Sequence, residues 1–243
     1  MAPKILLVDS ETAPSLAWVW AKWQTNVIAF KKDWFMLSFA WKWLGDTKIQ
    51  YRGLSDYPNY KKDKSNDRCL VSDLWNVLDC ADVVIAHNGD RFDIRKSNAR
   101  FLFHSLGRPS PFQTVDTLKV AKSAFRLDGN SLNDICKYLN IGGKLPNTGF
   151  HLWQGCMNGD PESWKMMEEY NKHDVYLLDL VYHRMRSFAK NHPNLQLYTK
   201  TDCCPTCQSM KVQKRGFAPL KKLVKQRWTC TDCGSWWTGK VIK

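Results

Sequence analysis

No apolar run in the 243-residue chain approaches the ~20 residues that a membrane-spanning helix needs. The first apolar stretch, Ile5 to Val8, is four residues long and ends at Asp9, too short for the apolar region of a secretory signal. Internal repeats and low-complexity segments are absent, which argues against a solenoid or a disordered tail. A disulfide framework is also missing, because Cys69, Cys80, Cys136 and Cys156 are scattered singly and the other five of nine cysteines crowd into the last 41 residues. The scattered four are expected to be small buried side chains in a reducing compartment. A cytoplasmic protein with no membrane partner is expected.

Acidic residues are scarce, with 23 Asp and Glu against 36 Lys and Arg, a net charge of +13. From Lys200 to Lys243 there are ten basic and two acidic residues, so +8 of that excess lies in the tail. Such a surplus favours polyanions, nucleic acid the commonest, although surface lysines also simply keep a protein soluble.

The pattern along the chain alternates strands and helices, as in an α/β domain with a mixed sheet. "KILLV" reads as a buried first strand, followed by an aromatic-rich stretch, "LAWVWAKW". "MLSFAWKW" and "KIQYRGL" read as the second and third strands, with Gly45-Asp46 as their turn. Residues 55–67 read as a loop, and residues 69–81 have helical spacing. "DVVIAH" is a buried fourth strand, followed by a helix over about 91–106. "FQTVDTLKVA" is a fifth strand running into a helix, and "NSLNDICKYLNIGG" is a helix with Asn130 or Ser131 as N-cap. Residues 144–159 read as irregular. Asp160-Pro161 opens a long helix to about Ala189, with Asp as N-cap and Pro at its first position. Most of the twelve tryptophans are expected in the core.

Several carboxylates sit where carboxylates are costly. Asp9 and Glu11 end a core strand, and residues two apart on a strand point to the same side. Asp174 falls in the middle of an otherwise core-facing helical stripe, Met167, Asn171, Asp174, Leu178, Val181, Met185, Phe188. Tyr170, four residues earlier, shares its face. Asp93 follows the fourth strand and opens a helix. Taken singly, Asp93 would be a helix-start charge, Asp174 half of a buried ion pair, and Asp9 with Glu11 a loop cap. Together they suit divalent cations bound through oxygen.

Asp-x-Glu-Thr at Asp9 and Glu11, Asn-Gly-x-x-Phe-Asp at Asn88 to Asp93, and Tyr-x-x-x-Asp at Tyr170 and Asp174 resemble the three motifs of the DEDDy (DnaQ-like) 3′–5′ exonucleases. "KILLVDSETAPSLAWVW" and "MLSFAWKWLG" are most similar to stand-alone members from bacteriophages and bacteria, which would place the protein in a host cytoplasm if phage-encoded. The resemblance covers about residues 4–190 and implies a ribonuclease H-like five-stranded mixed sheet flanked by helices. It further implies that Asp9, Glu11, Asp93 and Asp174 hold two Mg²⁺ or Mn²⁺ ions, with Tyr170 orienting the attacking water. Cleavage of a single-stranded DNA or RNA 3′ end would follow, DNA favoured. Asn88, in the turn, would let the backbone approach the strand end. His173 and Asp90 receive no catalytic role, and Asp116 and Asp134 read as structural caps. The alternatives are an endonuclease or RNA-trimming enzyme on the same fold, or a nucleic-acid-binding adaptor that recruits a polymerase or another replication protein.

The tail carries "CCPTC" and "CTDC", two C-x-x-C pairs separated by 22 residues. Cys204, Cys207, Cys230 and Cys233 have the spacing of one structural Zn²⁺ in a zinc ribbon, and Cys203 is the spare. Two domains are expected, 1–196 and 197–243, the smaller depending on its metal for stability. Between and beyond the knuckles, Lys214, Arg215, Lys221, Lys222, Trp236 and Trp237 are candidates for phosphate and base contacts, with Trp228 expected in the ribbon's own small core.

Overall fold

The computed structural model describes residues 2–199 and 201–241. Its centre is a five-stranded sheet of order β5-β4-β1-β6-β7, made of β1 (Ile5–Thr12), β4 (Met36–Trp43), β5 (Gln50–Gly53), β6 (Val83–Ala86) and β7 (Gln113–Asp116). β1 pairs antiparallel with β4 and parallel with β6, so the sheet is mixed. β1 is thus the middle strand, and Ile5 to Val8 are buried as their unbroken apolar run requires.

Helices cover both faces. α1 (Arg68–Asp79), α2 (Asp93–Phe103) and α5 (Phe150–Asn158) lie with Leu6, Val8, Phe39 and Leu74 in one cluster. α3 (Thr117–Ala124) and α4 (Leu132–Tyr138) pack against α6 (Pro161–Met185) through Val120, Ile135 and Val181. Leu7, Ile85, Val175 and Leu178 fill the space between sheet and α6. Caps appear where the side chains predict them. Asp160 accepts from the Ser163 N–H at 2.9 Å, Ser131 and Asp134 form a capping box, and the Asp116 side chain caps α3. Asp67, fully buried, ties the layers together. It accepts from the Met36 N–H (2.8 Å) at the start of β4 and pairs with Arg100 and His104 near the end of α2.

Five expectations need correction. Residues 144–159 are not wholly irregular, since α5 occupies 150–158. Gly155 inside it lowers helix propensity, and the reason for a glycine lies outside the helix: a Cβ there would meet the Ser163 hydroxyl of α6 at 2.0 Å. The loop over 55–67 contains short 3₁₀ turns at Leu54–Asp56 and Pro58–Lys61. α6 stops at Met185, so Phe188 falls out of the stripe and is exposed, while the stripe from Met167 to Met185 is buried. Cys80 is exposed and Cys69 half-buried, unlike buried Cys136 and Cys156.

The fifth concerns the tryptophans. Only Trp164 is buried, and Trp18, Trp20, Trp23 and Trp236 are exposed. Three of those four belong to a hairpin that the pattern did not announce, β2 (Leu16–Trp18) and β3 (Ala29–Lys32), inserted between β1 and β4. After α6 the chain forms a three-stranded antiparallel sheet of β8 (Val212–Leu220), β9 (Leu223–Cys230) and β10 (Trp236–Val241), with β9 in the middle. Among the described residues no helix is long and apolar enough to cross a membrane.

Candidate active site

β1 delivers Asp9 and Glu11 to the same side of the sheet, and α6 crosses that side with Tyr170, Asn171 and Asp174 turned inward. One carboxylate oxygen from each of Asp9, Glu11 and Asp174 lies within 4.8 Å of the other two. The pairing of β1 with β4 shifts register between Glu11 and Thr12, an irregularity of the kind that re-aims side chains at a strand end.

Neighbouring groups hold the cluster open. The Asn171 amide donates to the Asp9 carboxylate at 2.6 Å and to its carbonyl at 3.2 Å. Ser38 Oγ in turn donates to Asn171 Oδ1 at 3.0 Å, which fixes the amide's orientation. Lys144 Nζ donates to Asp174 Oδ2 at 2.6 Å and to the Tyr170 hydroxyl at 2.8 Å. Trp153 of α5 packs edge-on against the Tyr170 ring. Asp174 Oδ1 is buried and has no hydrogen-bond partner.

The electrostatics follow from this crowding. Burial, with the charges of Glu11, Asp93 and Asp174, pushes the Asp9 carboxyl well above its ordinary value. Burial and the nearby Asp174 push Glu11 up to about 8. Asp174 is raised by burial, with Lys144 opposing. Burial alone would lower the Lys144 ammonium, but the Asp174 carboxylate outweighs it and holds that ammonium above its ordinary value. One lysine therefore offsets part of a three-acid cluster, and an unpartnered buried oxygen remains. That donor set fits a divalent cation bound through oxygen.

Asp93 sits beside this group. It is buried in the first turn of α2, and its Oδ1 accepts from the Ser10 N–H (3.0 Å) and Ser10 hydroxyl (2.6 Å). Ser10 lies between Asp9 and Glu11 on β1, so Asp93 braces the strand that carries them. Burial raises its carboxyl to about 6, with the Ser10 hydrogen bonds opposing. Asn88 has φ 65° and donates its backbone N–H to Asp116 at 2.9 Å, fixing the turn into α2. Gly89 follows because a Cβ there would meet the Ala86 Cβ at 2.4 Å. Asp90 pairs with Lys119, and His173, next to Asp174 in the chain, pairs through its ring with the Gly143 carbonyl.

The family model described as the RNase_H superfamily matches residues 39–186, more than half of the chain. The chain belongs to the RNase_H superfamily. Within this RNase_H-superfamily chain the matched span holds Asp93, Tyr170, Lys144 and Asp174, while Asp9 and Glu11 precede it. Among solved structures, the family B DNA polymerase from the hyperthermophilic archaeon Pyrobaculum calidifontis is similar in fold, with a TM-score of 0.51 and 13% identity over 78% of this chain. This chain spans only 26% of that polymerase. No curated protein matches it.

Outside the matched span, Cys204, Cys207, Cys230 and Cys233 gather with sulfurs within 4.8 Å of one another. The Cys204–Cys233 and Cys207–Cys230 sulfurs are 3.6 and 3.7 Å apart. A tetrahedron with ~2.3 Å metal–sulfur bonds has edges of about 3.8 Å, so the four fit zinc. Cys203 points elsewhere, its sulfur 3.4 Å from the Thr199 hydroxyl. Beside this cluster runs a groove of about 820 Å³ lined by Lys214, Trp228, Trp236, Trp237, Lys190 and Phe188 among others. Trp228 is half-buried and stacks on Trp237, ring centres 6.4 Å apart, and Lys214 Nζ lies over the Trp228 ring, 5.6 Å from its centre. Lys214, Trp236 and Trp237 thus meet at one groove, whereas exposed Arg215, Lys221 and Lys222 do not line it.

Two site residues escaped the sequence reading. Asn171 carried the same signal as Asp174, a polar residue in an apolar stripe. Lys144 carried none, because it reaches the site from a loop 30 positions before Asp174.

Proposed function

We propose that the chain is a metal-dependent 3′–5′ exonuclease of the DEDDy (DnaQ-like) kind, hydrolysing the terminal phosphodiester of single-stranded nucleic acid, DNA favoured, in the cytoplasm. The observation that carries this reading is the convergence of Asp9, Glu11 and Asp174 within 4.8 Å around an unpartnered buried oxygen. The RNase_H-superfamily fold supports it.

Asp9, Glu11 and Asp174 would hold Mg²⁺ or Mn²⁺, and Asp93, beside them through Ser10, would complete the site for a second ion. When bound, such ions lower the pKa of a coordinated water and stabilise the departing oxygen. The protein's own groups do the rest. Asn171 holds the Asp9 carboxylate in place through its 2.6 Å hydrogen bond. Lys144 donates to the Tyr170 oxygen and leaves the hydroxyl proton free to orient the attacking water. Water attacks phosphorus, the bond to the 3′ oxygen of the penultimate nucleotide breaks, and a nucleoside 5′-monophosphate leaves.

The four cysteines would hold one Zn²⁺ in a small domain over 197–243, separate from an exonuclease domain over 1–196. The Trp228, Trp236, Trp237 and Lys214 groove would take a following stretch of the strand, with Arg215, Lys221 and Lys222 adding long-range attraction.

The test is a time course on 5′-labelled single-stranded DNA and RNA with Mg²⁺ or EDTA. A ladder shortening from the 3′ end only with metal is expected, faster on DNA. Internal cuts would replace this reading with the endonuclease one, and tight binding without cleavage would replace it with the adaptor.

A further inference from the structure

Just past Glu11 the chain leaves the sheet. The Ala13 N–H donates to the Phe35 carbonyl at 2.9 Å, both residues are buried, and the residues between them are exposed apart from half-buried Ala17 and Trp34. β2 and β3 pair only with each other among the described strands. On this ribbon Trp20 is 79% and Trp23 85% exposed, and Trp18 and Phe30 are exposed as well. A lone two-stranded ribbon is marginal in water, and a cluster of bare aromatic rings on it marks a contact surface.

Charge says what the surface contacts. Residues 14–34 contain Lys22, Lys31 and Lys32 and one acid, Asp33, which lies at the root of the hairpin and accepts from the Trp34 N–H at 2.8 Å. Lys22 lies over the Trp23 ring at 5.0 Å and Lys31 over Trp18 at 5.5 Å, so each ammonium is held beside a ring. Rings interleaved with ammonium groups match a strand of bases and phosphates. A second copy would bring like charge against like charge.

Position completes the case. Ala13 is two residues beyond Glu11, about 7 Å at the usual strand rise. At the other root, Lys96 of α2 lies 3.7 Å over Trp34, one turn after Asp93. The hairpin is therefore rooted on both elements that bring acids to the site from the β1 side.

We propose that residues 14–34 form a clasp for an unpaired polynucleotide strand, in which Trp18, Trp20, Trp23 and Phe30 stack on bases adjoining the 3′ end at the carboxylates while Lys22, Lys31 and Lys32 meet the phosphates between them. The proposal rests on the exonuclease reading, which already takes a single strand, and assigns the residues that hold its unpaired bases and so discriminate against a blunt duplex.

The experiment measures binding of the full, zinc-containing chain to fluorescent oligonucleotides by anisotropy, without Mg²⁺ or Mn²⁺. The double variants Trp20→Leu/Trp23→Leu and Trp20→Phe/Trp23→Phe are compared on a single strand and on a blunt duplex. The leucine pair should weaken single-strand binding at least about tenfold and duplex binding far less, and the phenylalanine pair should recover most of the loss, because stacking needs a ring. An abasic tract next to the 3′ end should weaken the parent but scarcely affect the leucine pair. Equal affinity of parent and leucine pair for the single strand would overturn the clasp, as would an equal loss on both substrates. With oligonucleotide affinity unchanged, a parent dimer lost in the leucine pair would assign the hairpin to self-association, and lost binding to phosphatidylserine vesicles would assign it to a lipid surface. Either overturns the clasp. Absence of cleavage by the parent would strike the exonuclease reading alone, since the clasp is read from binding.

Discussion

Glu11 makes the stability of the protein depend on pH in a direction that ordinary carboxylates do not. In the unfolded chain its carboxyl titrates near 4.5, and in the folded chain without a catalytic cation burial and Asp174 push it up to about 8. Between those values the folded state holds a proton that the unfolded state has released. Stability is then fully present below pH 4.5 and declines as pH rises toward 8. One such group changes the unfolding free energy by about 1.4 kcal/mol per pH unit inside its window. From pH 5.5 to 7.5 Glu11 alone should remove about 3 kcal/mol. Asp9, raised by the same burial and the same neighbours, acts in the same direction. His87 and His192, whose imidazoles burial lowers, act in the opposite one. The histidine contributions are largely common to the parent and to Glu11→Gln, whereas Asp9, which feels the Glu11 charge, relaxes in the variant and adds to the change in the same direction, so the comparison reads the two acids together. The assay is urea unfolding of both proteins at half-unit steps from pH 5.5 to 7.5 in buffer free of Mg²⁺ and Mn²⁺. The stability of the variant relative to the parent should rise by at least about 1.4 kcal/mol per unit, and millimolar Mn²⁺ should favour the parent most at pH 7.5. A stability difference that stays constant across this range would refute the reasoning.

Other perturbations probe the supporting groups. Lys144→Met leaves Asp174 facing the other acids without its cation and should cost about 1–3 kcal/mol at pH 7, reduced from the full value for a buried pair because the lysine is partly exposed; unchanged urea midpoints would contradict this. Asn171→Leu frees the Asp9 carboxylate and should lower kcat about 10–100-fold with KM little changed, measured on a single-stranded oligonucleotide; parental kcat would remove Asn171 from the site. Cys230→Ser should abolish bound zinc by elemental analysis and weaken oligonucleotide binding more than turnover at saturation. Retained stoichiometric zinc would show that the four sulfurs are not the site.

Legibility in the sequence tracks the range of the interactions. β1, α6 and the four cysteines are written in local spacing, with period two, period 3.6 and C-x-x-C, and each was readable together with the acids it carries. Asp174 stood out because a charge in an apolar stripe violates the pattern around it. α5 was hidden because Gly155 answers to Ser163 on another helix rather than to its own neighbours. Lys144 was hidden for a similar reason, since its role is a contact across 30 residues and no local period records it. The tryptophans misled most. Their size suggests a core, yet the 14–34 hairpin holds three of them in solvent, and only charge and position explain why.

The central claim is that Asp9, Glu11 and Asp174 lie together because cations sit among them. Titrating the zinc-loaded protein with Mn²⁺, and following the loss of the free-ion electron paramagnetic resonance signal, tests it directly. The account predicts saturable Mn²⁺ binding by the parent, competed by Mg²⁺, and its loss or severe weakening in Asp174→Asn. Equal binding by parent and variant, or none by either, would contradict it.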